Sequence, residues 1–353
     1  MFNFPGSWPV NPGYTPPPPL LYPNPHDCSV PAPELIYNDY PPVMFLTHHN
    51  PPRVAACGGN AAESGTDPMT MNWYEYWYEY DFRFTNSCLV LHNGSWSADE
   101  LDNLPDSLIP PSIGSYNLKS VRLPAGVFIL AESSYNTHVV NMAFLQANSR
   151  SWLPAADLPY AASVVCAEPI SHHSFIILTG GCDWKPAQIF EFDTRLAGAV
   201  PTGPGWLSND TWGPMDFGST WSDGVSEWRG DGCVCGKIGN KLIVAGHDKN
   251  WDVSDGSPFY RTTQIINLDT KTFKNGPVMR VNHGVGSFNF LSIKGRLYAI
   301  GGLVDFVGQD MGPLLSDVEV YDEAAEVWRT APDLPFPLAR YGSVAVPLNS
   351  VCG

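Results

Sequence analysis

The feature that most constrains this 353-residue chain is a repeated, imperfect pattern of short apolar segments that run into glycine. They fall at 54–59, 127–131, 175–181, 242–246 and 297–302, and glycine pairs close three of them (Gly58-Gly59, Gly180-Gly181, Gly301-Gly302). A second mark is an aromatic residue followed six positions later by Leu or Met: Trp152 to Leu158, Phe273 to Met279 and Trp328 to Leu334. A third is a proline-flanked turn that leads into another apolar strand. Examples are Pro332-Asp333-Leu334-Pro335 before 343–346, Asp157-Leu158-Pro159 before 163–166 and Pro33-Glu34-Leu35 before 43–46. Between the first and second marks lies one more strand, at 88–91, 187–193, 262–269 and 317–322.

The glycine-ended strands begin about 48 to 72 residues apart. Each period holds four short strands with turn signals, and no run of 3.6-residue periodicity is long enough for a crossover helix. A four-stranded unit of this length leaves both of its faces uncovered. Stacked radially, such units bury one another and leave only short edges. The expected fold is an all-β propeller of four-stranded blades.

The unit Leu297-Tyr298-Ala299-Ile300-Gly301-Gly302, Asp317-Val318-Glu319-Val320-Tyr321-Asp322, Trp328 and Pro332-Asp333-Leu334-Pro335 resembles the kelch repeat in order and spacing. Segments 174–193 and 241–279 follow the same pattern well, and 126–158 and 53–104 less fully. The resemblance spans roughly residues 28–353 and implies a kelch-type β-propeller with five recognisable repeats plus a partial sixth. The physical roles fit: paired glycines allow a tight turn beside the neighbouring chain, and the aromatic fills the wedge between blades. Departures are Ala131-Glu132 in place of a glycine pair, a single Gly246, and a broken aromatic spacing over 194–212. That last one makes the outer strand of the third blade the weakest element of the pattern.

The proline-flanked turn occurs six times, near Leu35, Leu104, Leu158, Met215, Met279 and Leu334. The sixth feeds the strand at 343–346, and Val351-Cys352-Gly353 then repeats the sense of Ala56-Cys57-Gly58. Either terminal strands share one blade, or the chain stops just inside a sixth; truncation or an atypical closure is favoured. Residues 1–27, with Pro16 to Pro19 consecutive, read as a Pro-rich tail or linker outside the 28–353 domain, because polyproline buries little. A plain spacer is preferred there to an SH3-type ligand.

Composition narrows the function. The net charge of −16 argues against nucleic acid or an anionic membrane as partner, and favours a neutral or basic one. Apolar runs such as 175–178 and 242–245 are far shorter than the roughly 20 residues of a membrane span. Charged residues are 15%, against roughly 25% in an ordinary soluble domain, as expected for blades covered on both faces. Eight cysteines and two sequons, at Asn93 and Asn209, point to an extracellular glycoprotein. Residues 1–10 lack the basic start and apolar run of a signal peptide, so a cytoplasmic location, or a start within a longer chain, stays open.

In an up-and-down blade of strands a to d, the b–c and d–a connections share one face. The long connections here are b–c, at 60–87, 247–261 and 303–316, so that face is the expected binding surface. In the first of them, residues 73–84 alternate, with Trp73, Glu75, Trp77, Glu79 and Asp81 on one side of an extended strand and Tyr or Phe on the other. Exposed tryptophan beside carboxylates suits a protein hot spot or stacking on sugar rings. A hairpin whose aromatics merely pack onto the first blade is the competing reading. Trp212, Trp221 and Trp251 extend the candidate surface.

Cys57 ends strand b of the first blade and Cys88 starts strand c, which makes a disulfide sterically reasonable; Cys166 with Cys182 is a looser pairing. Cys233-Val234-Cys235 lacks zinc-knuckle spacing, and His48-His49 and His172-His173 sit on the face opposite the long loops. No catalytic residue, metal or cofactor can be assigned. The expectation is a non-catalytic module that recognises a protein or glycan. The alternatives are a propeller enzyme, similar to the copper radical oxidases or a sugar epimerase, and an intracellular kelch adaptor.

Overall fold

Strand pairing in the computed structural model groups the described residues into five antiparallel sheets of three or four strands and two two-stranded ribbons. The structure describes residues 43–61, 83–92, 95–109, 118–132, 139–159, 163–180, 188–207, 234–245, 261, 263–283, 289–305 and 311–334. Blade 1 contains β1 (Val43–Leu46), β2 (Val54–Cys57), β5 (Cys88–His92) and β6 (Ser95–Ser97), with a short ribbon of β3 (Asn60–Ala61) and β4 (Arg83–Phe84) between β2 and β5. Blade 2 is β7 (Leu118–Leu123), β8 (Gly126–Glu132), β9 (Val140–Gln146) and β10 (Trp152–Ala155). Blade 3 is β11 (Ser163–Pro169), β12 (Ser174–Gly180) and β13 (Gln188–Asp193). Blade 4 is β14 (Val234–Ile238), β15 (Lys241–Ala245), β16 (Thr263–Asn267) and β17 (Thr272–Asn275). Blade 5 is β18 (Asn289–Ile293), β19 (Arg296–Ile300), β22 (Val318–Asp322) and β23 (Val327–Ala331). A second ribbon, β20 (Leu303–Asp305) and β21 (Met311–Leu314), lies between β19 and β22. A 3₁₀ turn, Asp106–Leu108, follows β6.

The first strand of each blade abuts the first strand of the next, from β1 through β7, β11 and β14 to β18, so these strands are innermost and the sheets form a ring. The chain is an all-β propeller with five blades among the described residues. The Pro-rich tail and the expected partial sixth repeat lie outside them. Second strands are apolar almost throughout because both faces of a blade are covered. All seven residues of β8 are buried, for example.

Successive blades enclose separate apolar cores. Phe45, Val90, Leu104, Ile129 and Trp152 fill the first seam. In the second, Phe128, Phe144, Phe175 and Phe192 form an aromatic cluster, with Phe128–Phe175 and Phe175–Phe192 centroids both 5.2 Å apart. Cys166, Ile176, Leu178, Cys235, Leu242 and Ile266 belong to the third, and Ile243, Ile265, Leu297, Tyr321 and Trp328 to the fourth.

Two sequence marks acquire a physical reason here. The Leu or Met of the proline-flanked turn donates its N–H to the residue just before strand c, or at its start. The pairs are Leu104 to Asn86 (2.7 Å), Leu158 to Val140 (3.0 Å), Met279 to Arg261 (2.7 Å) and Leu334 to Ser316 (2.7 Å). Leu104, Leu158 and Met279 also bury their side chains, so the turn is pinned twice. The outer aromatic reaches back to the preceding turn: Trp152 Nε1 donates to the Asp102 carbonyl and Trp206 Nε1 to that of Ala156, both at 3.0 Å.

Trp206 thereby resolves the third blade. Its outer strand shrinks to a single bridge, Phe192 with Trp206, after a detour through 194–205. The ring of Trp206 lies 5.1 Å from Phe192 and 5.9 Å from Phe175, so the wedge aromatic is present but displaced along the chain.

Candidate functional site

The b–c and d–a connections emerge at one mouth of the ring, and two of the b–c excursions begin as ribbons. In the first, Asn60 pairs with Phe84 and Ala61 with Arg83. In the second, Leu303 pairs with Leu314 and Asp305 with Met311, across an irregularity. Each ribbon springs from a glycine pair with matching bonds. Gly58 N–H donates to Ser87 and Gly301 N–H to Asp317, while Thr85 and Leu315 return N–H groups to Gly59 and Gly302. The four glycines have φ between 60° and 119°, a region costly for other residues. At Gly302 a Cβ would also overlap the His283 carbonyl oxygen. The glycine pair is where a hairpin extension leaves the blade.

Beside the second ribbon the d–a turn is held by a buried acid. Glu319, on β22, is wholly enclosed and accepts N–H bonds from Arg280 (2.9 Å to Oε1, 3.1 Å to Oε2) and Val281 (3.2 Å). His283, also fully buried, places Nε2 3.2 Å from Glu319 Oε2 and Nδ1 2.5 Å from the Gly301 oxygen. A carbonyl only accepts, so Nδ1 carries a proton and the other nitrogen faces the carboxylate. The arrangement fixes the 279–283 turn against the base of the ribbon while the Arg280 side chain stays exposed. Sequence reasoning passed over both residues. The signal was an acid at a position of strand c between the apolar Val318 and Val320.

Charge on the inner strands is desolvated. Burial pushes the Glu168 carboxyl up to about 7, opposed by the charge of Lys237 and by the Lys237 N–H that it accepts. Burial likewise lowers the Lys119 ammonium, against the opposing pull of Glu132. On the other mouth, His48 Nε2 lies 2.8 Å from the Leu123 carbonyl and His49 Nδ1 2.9 Å from Thr47 Oγ1, so His48 ties the first turn to the end of β7 and His49 stays within that turn. Among the described residues no three His, Cys, Asp or Glu side chains are gathered as a metal site.

Cys57 and Cys88 face each other across β2 and β5 at disulfide distance, with Cα atoms 4.1 Å apart. The expected partner of Cys166 is replaced. Cys166 lies at disulfide distance from Cys235, with a Cα separation of 5.7 Å, and Cys182 lies outside the described residues. The reason is radial packing, which sets β11 against β14, so a cysteine on an inner strand meets the next blade before it meets its own. Trp73, Glu75, Trp77, Glu79, Asp81, Trp212, Trp221, Trp251, Asn93 and Asn209 also lie outside the described residues.

These features define a β-propeller in which four blades are pinned by the Leu or Met turn, and Trp152 and Trp206 bond back to the preceding turn. The Kelch motif model matches residues 279–335, which run from the Met279 turn through the four strands of blade 5 to the Leu334 turn. Blade 5 thus carries a Kelch motif, within a propeller of five blades among the described residues. No helix among the described residues is long and apolar enough to cross a membrane.

Proposed function

We propose that this kelch propeller is an interaction module that takes a protein partner on the mouth formed by its b–c and d–a loops. The observation that carries the reading is the pair of ribbons, β3/β4 and β20/β21, raised on glycine pairs at that mouth. The Glu319–His283 clamp beneath one of them adds a fixed platform. A rigid scaffold that projects hairpins from one end suits recognition. The aromatic and acidic segment 73–84 runs into β4, which makes Trp73, Glu75, Trp77, Glu79 and Asp81 the leading contact residues, with Trp212, Trp221 and Trp251 beside them. The −16 charge favours a neutral or basic partner.

Two cysteine pairs at disulfide distance support an oxidising, extracellular setting with glycans at Asn93 and Asn209. The test is a binding screen of the full chain against extracellular proteins and a glycan array, with each ligand found re-measured on Trp77→Ala. The expected result is a protein ligand whose affinity falls at least about tenfold with the circular dichroism unchanged, as for an aromatic hot spot. Hydrogen-exchange protection confined to the opposite mouth would overturn the reading. Ligands restricted to glycans would refute the choice of a protein partner while leaving the face in place.

A further inference from the structure

We infer that the seam between the third and fourth blades is a redox latch: the Cys166–Cys235 disulfide holds β14 against β11, and its reduction frees the inner strand of the fourth blade while the other seams stay closed. The inference stands apart from the identity of any partner.

Three observations converge on this seam. Its core gathers Ile176, Leu178, Leu242, Val244 and Ile266 around the two cysteines. The cysteines lie within this core, so the sulfur bridge adds a covalent tie between the inner strands to their apolar packing. The bridge also closes a longer loop than Cys57–Cys88, 69 residues against 31, and so removes more freedom from the opened chain.

Second, β14 is the strand through which blades 3, 4 and 5 are joined. The Lys237 N–H is taken by Glu168 of blade 3, and its carbonyl accepts from Ser292 Oγ of blade 5. One residue earlier, Gly236 lies so close to Phe290 and Leu297 that a Cβ would overlap them. Loosening β14 from β11 therefore disturbs the fourth blade, whose b–c connection opens on the loop mouth.

Third, the two cysteine pairs differ in access. Cys57 and Cys88 are fully enclosed, whereas Cys166 and Cys235 keep 6% and 8% of their surface in contact with solvent. Thiol–disulfide exchange needs a thiolate to reach a sulfur, so the inter-blade bond is the one a small dithiol attacks first. The dithiol gives up two electrons and two protons and closes to its own cyclic disulfide, and Cys166 and Cys235 become free thiols. The strands are then held by apolar packing and the Glu168 hydrogen bond, with no covalent tie between them.

The full-length oxidised protein is titrated with a small dithiol, pulse-alkylated and mapped by mass spectrometry, with hydrogen exchange followed on the same samples. Cys166 and Cys235 should be labelled at least about tenfold faster than Cys57 and Cys88. Amide exchange over 163–169 and 234–245 should then rise at least about tenfold while 118–131 is unchanged. The double variant Cys166→Ser/Cys235→Ser should reproduce that exchange pattern without reductant and with Cys57–Cys88 intact. If it does not fold, the labelling order in the unmodified protein still decides. The latch is refuted if Cys57 and Cys88 react first, if exchange over 234–245 is unmoved once Cys166 is labelled, or if the oxidised peptide map joins Cys166 to another cysteine.

Discussion

Replacing Glu168 with Gln should make this protein more stable above neutral pH and leave it unchanged near pH 4.5. The carboxyl is raised from its ordinary 4.5 to about 7 in the folded ring, first by burial. Between those two values the unfolded chain has released this proton and the folded one still holds it, so the native state binds more protons. Stability therefore falls as pH rises through the window, is fully present below about 4.5 and is lost above about 7. Each pH unit of the window is worth about 1.4 kcal/mol, which sets a ceiling of about 3 kcal/mol. Solvent contact along the strand edge trims this, and about 2 kcal/mol is expected at pH 8. The amide oxygen of the substituted side chain still accepts the Lys237 N–H but has no charge to desolvate. Urea unfolding of both proteins from pH 4 to pH 9 isolates the effect, because every other titrating group cancels in the difference. Parallel curves, or a wild type that gains on the variant as pH rises, would refute the reasoning.

Trp152→Phe keeps the wedge ring but removes the bond to Asp102, and should cost about 1–2 kcal/mol by denaturant unfolding. Glu319→Ala strands the N–H groups of Arg280 and Val281 and one side of His283; a loss of about 3–5 kcal/mol is expected, with faster hydrogen exchange over 279–283. Gly302→Ala forces a side chain into φ +119° against the His283 carbonyl, for a loss of about 2–3 kcal/mol in thermal and chemical unfolding.

The blades were legible because their signals are periodic. A glycine pair, an outer aromatic and a proline-flanked turn each recur in several repeats for a steric or hydrogen-bonding reason. Gly58-Gly59 and Gly301-Gly302 thus marked in advance where ribbons leave the scaffold. What sequence missed depends on contacts between repeats or on exceptions within one. Cys166 was matched to a cysteine of its own blade because a linear pattern orders strands within a blade and is silent on which residues meet across a seam. Trp206 escaped the aromatic spacing because a detour through 194–205 lengthened the chain without altering the wedge it fills. Glu319 and His283 belong to one repeat among five. Blade 4 has Gln264 at the position of Glu319, and blade 3 has Phe190.

The tryptophan pins have a direction. Trp152 reaches back to Asp102 and Trp206 back to Ala156, so in each case the donor follows its acceptor along the chain. During synthesis, the Asp102 and Ala156 turns have emerged before the rings that seal them, so the second and third blades can each dock on a predecessor without waiting for a successor. Shortening the chain from its far end would then remove donors from turns that water can satisfy. Shortening it from the near end would take from Trp152 both its Asp102 acceptor and the Phe45 ring that covers it, and so expose an apolar ring. Growth from one terminus and loss from the other are not equivalent for this ring.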